Sequence, residues 1–545
     1  MRTPALLLAS WVVLAGAGPP LDAAVTITRD RWGVPHVDVP DDVGGTIARL
    51  RALGEAYGYA KARDRLYQLE IARRAVTGRL SELPFAVDQL PRDIAVRRDA
   101  PTDAERRAAF RRLPGRLRLL LRGFSRGVNR FIDEIRADPA EAPAEFFFPG
   151  LDPATIEPWR IEDTSALPEG NRLYEFGDNE PRNAVTLLDL LERFPEPEAK
   201  GIFTDLFWLE DPTAPTTIEP SEGTVAKPAL RPFAPQQLAL LRAHAAEFRQ
   251  VAALLEEEQE ARGLVTPASN AIAVSGALSA SGLPILLGGS QVGLRMPNVY
   301  HEVALRGGGF DAALLVPPGA GSALGRTALS AWTVTSSLTD TIDWYVEELR
   351  PTNPRQYRHR GRWRDMDCRL EGFRVANASP RTEEFCRTVH GAVVASFPTS
   401  GIAFTRQRHT AGRELASAAA LLALGFATDL RHARHTIDRI GSSFHVLWAD
   451  ADGHIAFFTL FGPVAVEHAN RGAVNFVVEP GGAAGVVVPP GNSGHIPPGG
   501  FGAEHLYDQL PLYESFRYRP WRRTGEPLEE PTVVETLLRE DVARR

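Results

Sequence analysis

Residues Thr266–Gly276 read TPASNAIAVSG. Just upstream, EEEQEAR (residues 256–262) ends a long segment with helical spacing and strong acidity. From Ser269 onward the apolar residues crowd into a short run that suits a strand. A small-residue break carrying Ser269-Asn270 therefore divides two textures. Before it, residues 47–83 place Leu53, Ala56, Tyr57, Ala60, Tyr67 and Ile71 at helical spacings, and further helices are predicted at 103–136, 181–194 and 235–262. After it, AIAVSG, PILLGG, YHEVALRG, FDAALLVPP, ALSAWTVTS and TIDWYVEELR are short runs cut by Gly, Pro and Ser, which predicts stacked sheets. SFHVLWADADGHIAFFTLFG predicts a hairpin turning at Asp452-Gly453, and AVTITRDRWGVPHVDV a strand and turn near the start. Helices followed by many strands make an α+β chain.

Length and composition bound the rest. At 545 residues the chain allows roughly two to four domains, and 44% hydrophobic with 24% charged residues is ordinary globular usage. A formal charge of −7 carries no basic footprint for a nucleic-acid partner. Arg2, the apolar run Leu6–Gly16 and the small residues of Leu21–Ala24 read as a secretory signal peptide over 1–24. No later apolar run reaches the length of about 18 residues that a spanning helix needs, so an exported protein without a membrane span is expected. Cys368 and Cys386 are the only cysteines, and in an oxidising compartment they are expected to form a disulfide. No neighbouring His or Cys completes a zinc site around them.

Common catalytic signatures are absent: there is no P-loop, HExxH, GxSxG elbow or GxGxxG opening a helix. What the chain does carry, in order, is RDRWGVPHV, GYAKARDRLYQLEIARRAVTGRLSEL, WLEDPTAPTTI, SNAIAVSG, GGSQVGLRMPNVYHEVALRGGGFD, LSAWTVTSSLTDTIDWYVEEL and PPGNSGH followed by YDQLPLYESF. Together these blocks, from about residue 25 to about 521, resemble the penicillin acylase family of N-terminal-nucleophile amidohydrolases.

The resemblance implies a four-layer αββα sandwich and a precursor that cuts itself between Ala268 and Ser269. It divides the chain into 25–230, a spacer over 231–268, and 269–545, the first and last pairing as a heterodimer. The chemistry has a physical basis. A Ser hydroxyl needs a base, and a freed α-amine, with an ordinary pKa of roughly 7.7–8, supplies one on the same residue. Ser269 is thereby implied as nucleophile, attacking the amide of a small N-acyl compound: a β-lactam side chain, an acyl-homoserine lactone or similar. Asn270 orders the site's hydrogen bonds, Gln291 binds the scissile amide through its backbone, and the backbone N–H of Ser336 serves the oxyanion. A structural calcium ion is implied at Glu180, Asp340, Asp343 and the carbonyl of Ile342. No organic cofactor is implied.

Residues matching the family's acyl pocket are Leu173, Val292, Leu324 and Val334, which predicts an aliphatic or broad acyl preference. Two departures stand out. The family's long segment between its central strand pair and the PPGNSGH-like block is mostly missing, and with it the Asn expected to complete the oxyanion hole. Asn470 and Asn475 lie near the junction, and Arg326-Thr327-Ala328 replaces the usual His-Asn-Gly. Losing one oxyanion donor costs about 3–4 kcal/mol, or 100- to 1000-fold in rate. Two readings follow: an active amidohydrolase, and a relative that binds acyl ligands with little or no turnover.

Overall fold

A computed structural model describes residues 25–147, 151–175, 177–207, 235–262, 268–292, 297–337, 340–459, 474–478, 484–487, 519–528 and 532–537. The first segment holds β1 (Val25–Arg29), β2 (Pro35–Asp38), α1 (Thr46–Thr77), α2 (Leu90–Asp99), α3 (Asp103–Arg112) and α4 (Gly115–Ala137). Then come α5 (Ile161–Ala166), α6 (Glu180–Arg193), α7 (Glu196–Phe207), α8 (Pro235–Ala243) and α9 (Ala245–Arg262). Three predicted helices are shorter or split. The helix predicted over 47–83 stops at Gly78, whose φ of 63° closes the C-terminus with its N–H on the carbonyl of Arg74. The one predicted over 103–136 breaks at Leu113-Pro114, because the residue before proline is driven to extended backbone. The one predicted over 235–262 divides at His244.

The strands follow: β3 (Ala268–Val274), β4 (Ile285–Gln291), β5 (His301–Gly307), β6 (Phe310–Val316), β7 (Leu324–Arg326) and β8 (Ser330–Ser336). Next are β9 (Ile342–Arg350), β10 (Asn353–His359), β11 (Arg362–Asp365), β12 (Asp367–Phe373), β13 (Arg381–Thr388), β14 (Gly391–Phe397) and β15 (Ile402–Arg408). After α10 (Glu414–Ala423) and α11 (Leu430–Ile437) come β16 (Phe444–Asp450), β17 (Ile455–Thr459), β18 (Val474–Val478), β19 (Ala484–Val487), β20 (Arg519–Pro520) and β21 (Thr532–Leu537). The strands form a nine-stranded sheet in the order β17-β16-β8-β7-β6-β5-β2-β1-β21, a seven-stranded sheet β11-β10-β9-β15-β14-β13-β12, and a five-stranded sheet β20-β19-β18-β4-β3. Among the described residues, only β2 and β5 pair in parallel. The architecture is α+β, as expected.

The central strands of the nine-stranded sheet are buried on both faces, which is why β6 reads as the unbroken apolar run AALLV. Val303, Leu305, Leu314 and Val316 face the helices, while Ala304, Ala313 and Leu315 face the five-stranded sheet, as the two-residue period of a strand requires. On the helical side α1 crosses α4 backbone to backbone. A Cβ on Gly58 would lie 2.1 Å from the carbonyl oxygen of Phe124, and one on Gly127 would lie 1.9 Å from that of Glu55. Gly54 and Gly123 repeat this one turn away, so GxxxG spacing on both helices removes the side chains that would hold them apart. The expected disulfide joins Cys368 and Cys386, which face each other across β12 and β13. No described helix is long and apolar enough to cross a membrane. The signal-peptide region, 1–24, lies outside the described residues.

Candidate active site

Strand β3 pairs antiparallel with β4, setting Ser269 opposite Ser290 and Asn270 opposite Gly289. Directly opposed residues share a face, and both serines line a cavity of about 390 Å³. Val292 continues that wall, and Val334, Thr335 and Ser336 at the end of β8 form the next one. Helix α1 adds Ala72, Ala75 and Val76 at i, i+3 and i+4, while Leu167, Leu421 and Phe444 close the apolar part. Ser269, Ser336, Val292 and Val334 are therefore brought together.

The other expected residues stand apart. Asn270, next in the strand, points to the opposite face and does not line the cavity. Leu324 corrects the pocket expectation: it is fully buried between the nine- and five-stranded sheets, beside Leu286 and Leu315, because its place in β7 turns it away from the cavity. Gln291 is positioned only through its backbone, opposite Ala268. The backbone of Asn475 lies in β18 opposite Gly289, while the side chains of Gln291, Leu173 and Asn475, residue Asn470, and the blocks WLEDPTAPTTI and PPGNSGH to YDQLPLYESF lie outside the described residues.

Toward the seven-stranded sheet the cavity turns ionic. Arg406 on β15 donates to Asp178 at 2.8 Å, to Glu258 of α9 at 3.4 Å and also to Asp99 of α2. Arg98 donates to the same Glu258 at 2.8 Å. Although burial opposes ionisation, Arg406 and Arg98 hold the Asp99 carboxyl well below the usual carboxylate range. Two residues along β15, Arg408 bonds Glu175 through Nε at 2.6 Å. These arginines and Ser290 were not anticipated. Their signal is legible in IAFTRQRH, where Arg406 and Arg408 share one face of an otherwise apolar strand and so require buried acids.

The expected calcium ligands gather where the 175–180 segment meets β9. Glu180 accepts the N–H of Trp344 at 2.6 Å, Asp340 accepts that of Ile342 at 3.3 Å, and Asp343 bonds His409 at 2.8 Å. Gly177 makes room: a Cβ there would sit 1.8 Å from an oxygen of Asp340 and 3.3 Å from the carbonyl of Ile342. Partial burial, with Asp340, Asp343 and Asp178 close by, pushes the Glu180 carboxyl up to about 7. Hard oxygen donors under mutual repulsion fit a divalent cation in kind. No three of these carboxylates bring oxygens within 4.8 Å of one another, so an ion would have to draw them inward.

In place of the usual His-Asn-Gly, Arg326 pairs with Glu526 at 3.1 Å. Residues 24–469 match the family described as Penicillin amidase. Penicillin G acylase of Escherichia coli is 28% identical over 420 residues, 72% of this chain and 48% of that protein. Acyl-homoserine lactone acylase QuiP of Pseudomonas aeruginosa is 28% identical over 378 residues, 68% of this chain and 40% of that one. A solved thermostable penicillin G acylase from Alcaligenes faecalis is 27% identical, covers 35% of each chain and has a TM-score of 0.33. The chain thus spans less than half the length of these curated relatives. With the profile matching most of its length and Ser269 opening a strand onto a cavity, the chain belongs to the penicillin amidase family.

Proposed function

We propose that this protein is an exported, self-processing hydrolase of linear amide C–N bonds in small N-acyl compounds, with Ser269 as N-terminal nucleophile. The observation that carries the reading is the place of Ser269: second residue of β3, facing a largely apolar cavity beside Ser290 and Ser336. Cleavage of the Ala268–Ser269 bond frees the α-amine, which takes the proton of Oγ as that oxygen attacks the amide carbon. The amine half leaves with a proton, and water then releases the acid from the acyl-enzyme. Val292, Val334, Ala75 and Leu421 suit an aliphatic acyl chain better than a stacked ring. The relatives named for penicillin G and for acyl-homoserine lactones bracket the substrate class.

The division at 231–268 belongs to the same reading. Helix α9 of that spacer supplies Glu258 to the Arg406 cluster and Gln259 to the cavity lining, which supports a precursor whose spacer closes the site. Residues 25–230 and 269–545 would remain as the heterodimer, with 1–24 removed on export. We assign the αββα sandwich with it, supported by the helix layer over the nine-stranded sheet and the five-stranded sheet on its other face. Glu180, Asp340, Asp343 and the Ile342 carbonyl would hold calcium, a structural charge balance for their acidic cluster.

A second reading, acyl binding without turnover, is favoured by one observation: among the described residues lining the cavity the only side-chain amide is Gln259, and no Asn is present. A denaturing gel with N-terminal sequencing, followed by a panel of N-acyl amides, separates the two. Two fragments, one beginning Ser-Asn-Ala, together with amide hydrolysis, support the first reading. Cleavage without hydrolysis supports the second. A single intact band sinks the N-terminal-nucleophile assignment.

A further inference from the structure

We propose that Lys61 and Arg65, one turn apart on α1, are positioning residues that set the width of the acyl cavity by each holding one of its walls; this rests on the acyl-cavity reading above. Lys61 Nζ donates to the carbonyls of Val316 at 3.4 Å and Pro317 at 3.3 Å. The chain from Pro317 to Ala323 is one wall of the cavity. Arg65 donates through Nη1 to the carbonyl of Asn298 at 2.5 Å and through Nη2 to that of Tyr300 at 3.3 Å. Val299 and Tyr300 form another wall. Neither basic residue lines the cavity itself, so each would act on substrate only through main chain.

The chemistry of the walls explains why they are tied in this way. Pro317 and Pro318 have no N–H, so at these two positions the main chain can be anchored only through carbonyls; the far end of the wall is held by the Ala323 N–H on the Leu315 carbonyl at 3.2 Å. The wall begins where β6 ends, beyond the reach of the β5 ladder. The opposite segment follows Pro297 and makes a short side-chain turn, with Tyr300 N–H on Asn298 Oδ1 at 2.8 Å. Helix α1 leaves regular geometry at Arg65, with φ −145° and ψ 22°. Beyond that point it presents Ala72, Ala75 and Val76 to the same cavity. Asp64, between the two basic residues, accepts from Arg29 at 2.9 Å and contacts Nε2 of His301 at 2.7 Å, the residue after Tyr300.

Lys61, Asp64, Arg65 and His301 are 0–4% exposed. Burying a cation is costly, and the acceptors that Lys61 finds are main-chain carbonyls. Burial drives the Lys61 amine well below its ordinary pKa. An apolar side chain of the same length would fill the space at no such cost, so what Lys61 adds is its donors.

The test uses the processed protein and a homologous series of N-acyl anilides from acetyl to dodecanoyl. Lys61→Met keeps the volume and removes the donors; Arg65→Lys keeps the charge and removes the fork on the other wall. Each is expected to shift the long-to-short chain ratio of kcat/KM by about tenfold, with KM changing more than kcat. In parallel, the protein with and without Lys61→Met, its Ser269 intact, is titrated with hexanoate and decanoate, which have no amide to cleave and so read the cavity without turnover. A shifted alkanoate profile alongside no hydrolysis of any amide would retain the positioning role and remove the hydrolase reading. Hydrolysis with unchanged chain-length profiles in either folded variant overturns the positioning role, as does a cavity that binds no alkanoate.

Discussion

Ser269 and Ser290 face each other across the β3–β4 ladder, and both hydroxyls open into one cavity. The proposed cut at Ala268–Ser269 would give an α-amine to Ser269 and not to Ser290, so the two should behave differently. Ser269→Ala is expected to leave a single unprocessed band and to lower amide hydrolysis by more than about 1000-fold. Ser290→Ala should still process, with a several-fold change in KM. If Ser290→Ala blocks cleavage while Ser269→Ala does not, the nucleophile has been misassigned.

The α1–α4 contact predicts two opposite outcomes for one kind of substitution. Gly58→Ala would push a methyl into the Phe124 carbonyl, and the overpacking should cost a net of about 2 kcal/mol or more despite better helix propensity. Gly201→Ala, in α7 with open space around it, should gain up to about 1 kcal/mol. Urea unfolding of both variants measures the difference, and a Gly58→Ala as stable as the parent would contradict the close approach.

Burial, reinforced by Lys61, pushes the His301 imidazole down to about 3 against the pull of Asp64. Its ordinary value is about 6.5. Below that pH the unfolded chain binds a proton that the native state refuses, so stability falls as the solution is acidified toward about 3 and is unaffected above 6.5. Between about pH 6.5 and 5 the loss should be about 2 kcal/mol. His301→Asn should flatten that part of the profile. An unaltered slope in the variant would mean that His301 is protonated in the native protein.

Calcium removal tests the acidic cluster at Glu180, Asp340 and Asp343. Saturation at about 100 times the dissociation constant should stabilise the protein by about 2.7 kcal/mol. Chelation should therefore lower the melting temperature, and Asp340→Asn should erase the difference. Identical melting curves with and without calcium would remove the ion from the account.

The α+β class, the turn at Asp452-Gly453, the Cys368–Cys386 pair and the placing of Ser269 at a strand mouth were all legible in the sequence, because each rests on local spacing or on the only available partner. The GxxxG spacings Gly54/Gly58 and Gly123/Gly127 were equally present but go unread until two helices are known to cross. Leu324 shows the limit of carrying a pocket across by position: one step of strand alternation moves a side chain from a cavity into the space between sheets. Arg406 finds Asp99, Asp178 and Glu258 on three separate segments, and Lys61 finds carbonyls 255 and 256 positions away. Periodicity along the chain reports which face of an element is apolar, and so the sequence by itself determined most of the elements, while the candidate nucleophile came from the resemblance of ordered motifs to a family. Which elements close around that nucleophile was decided only by the tertiary structure, because the partner of a buried charge is chosen by distance in space.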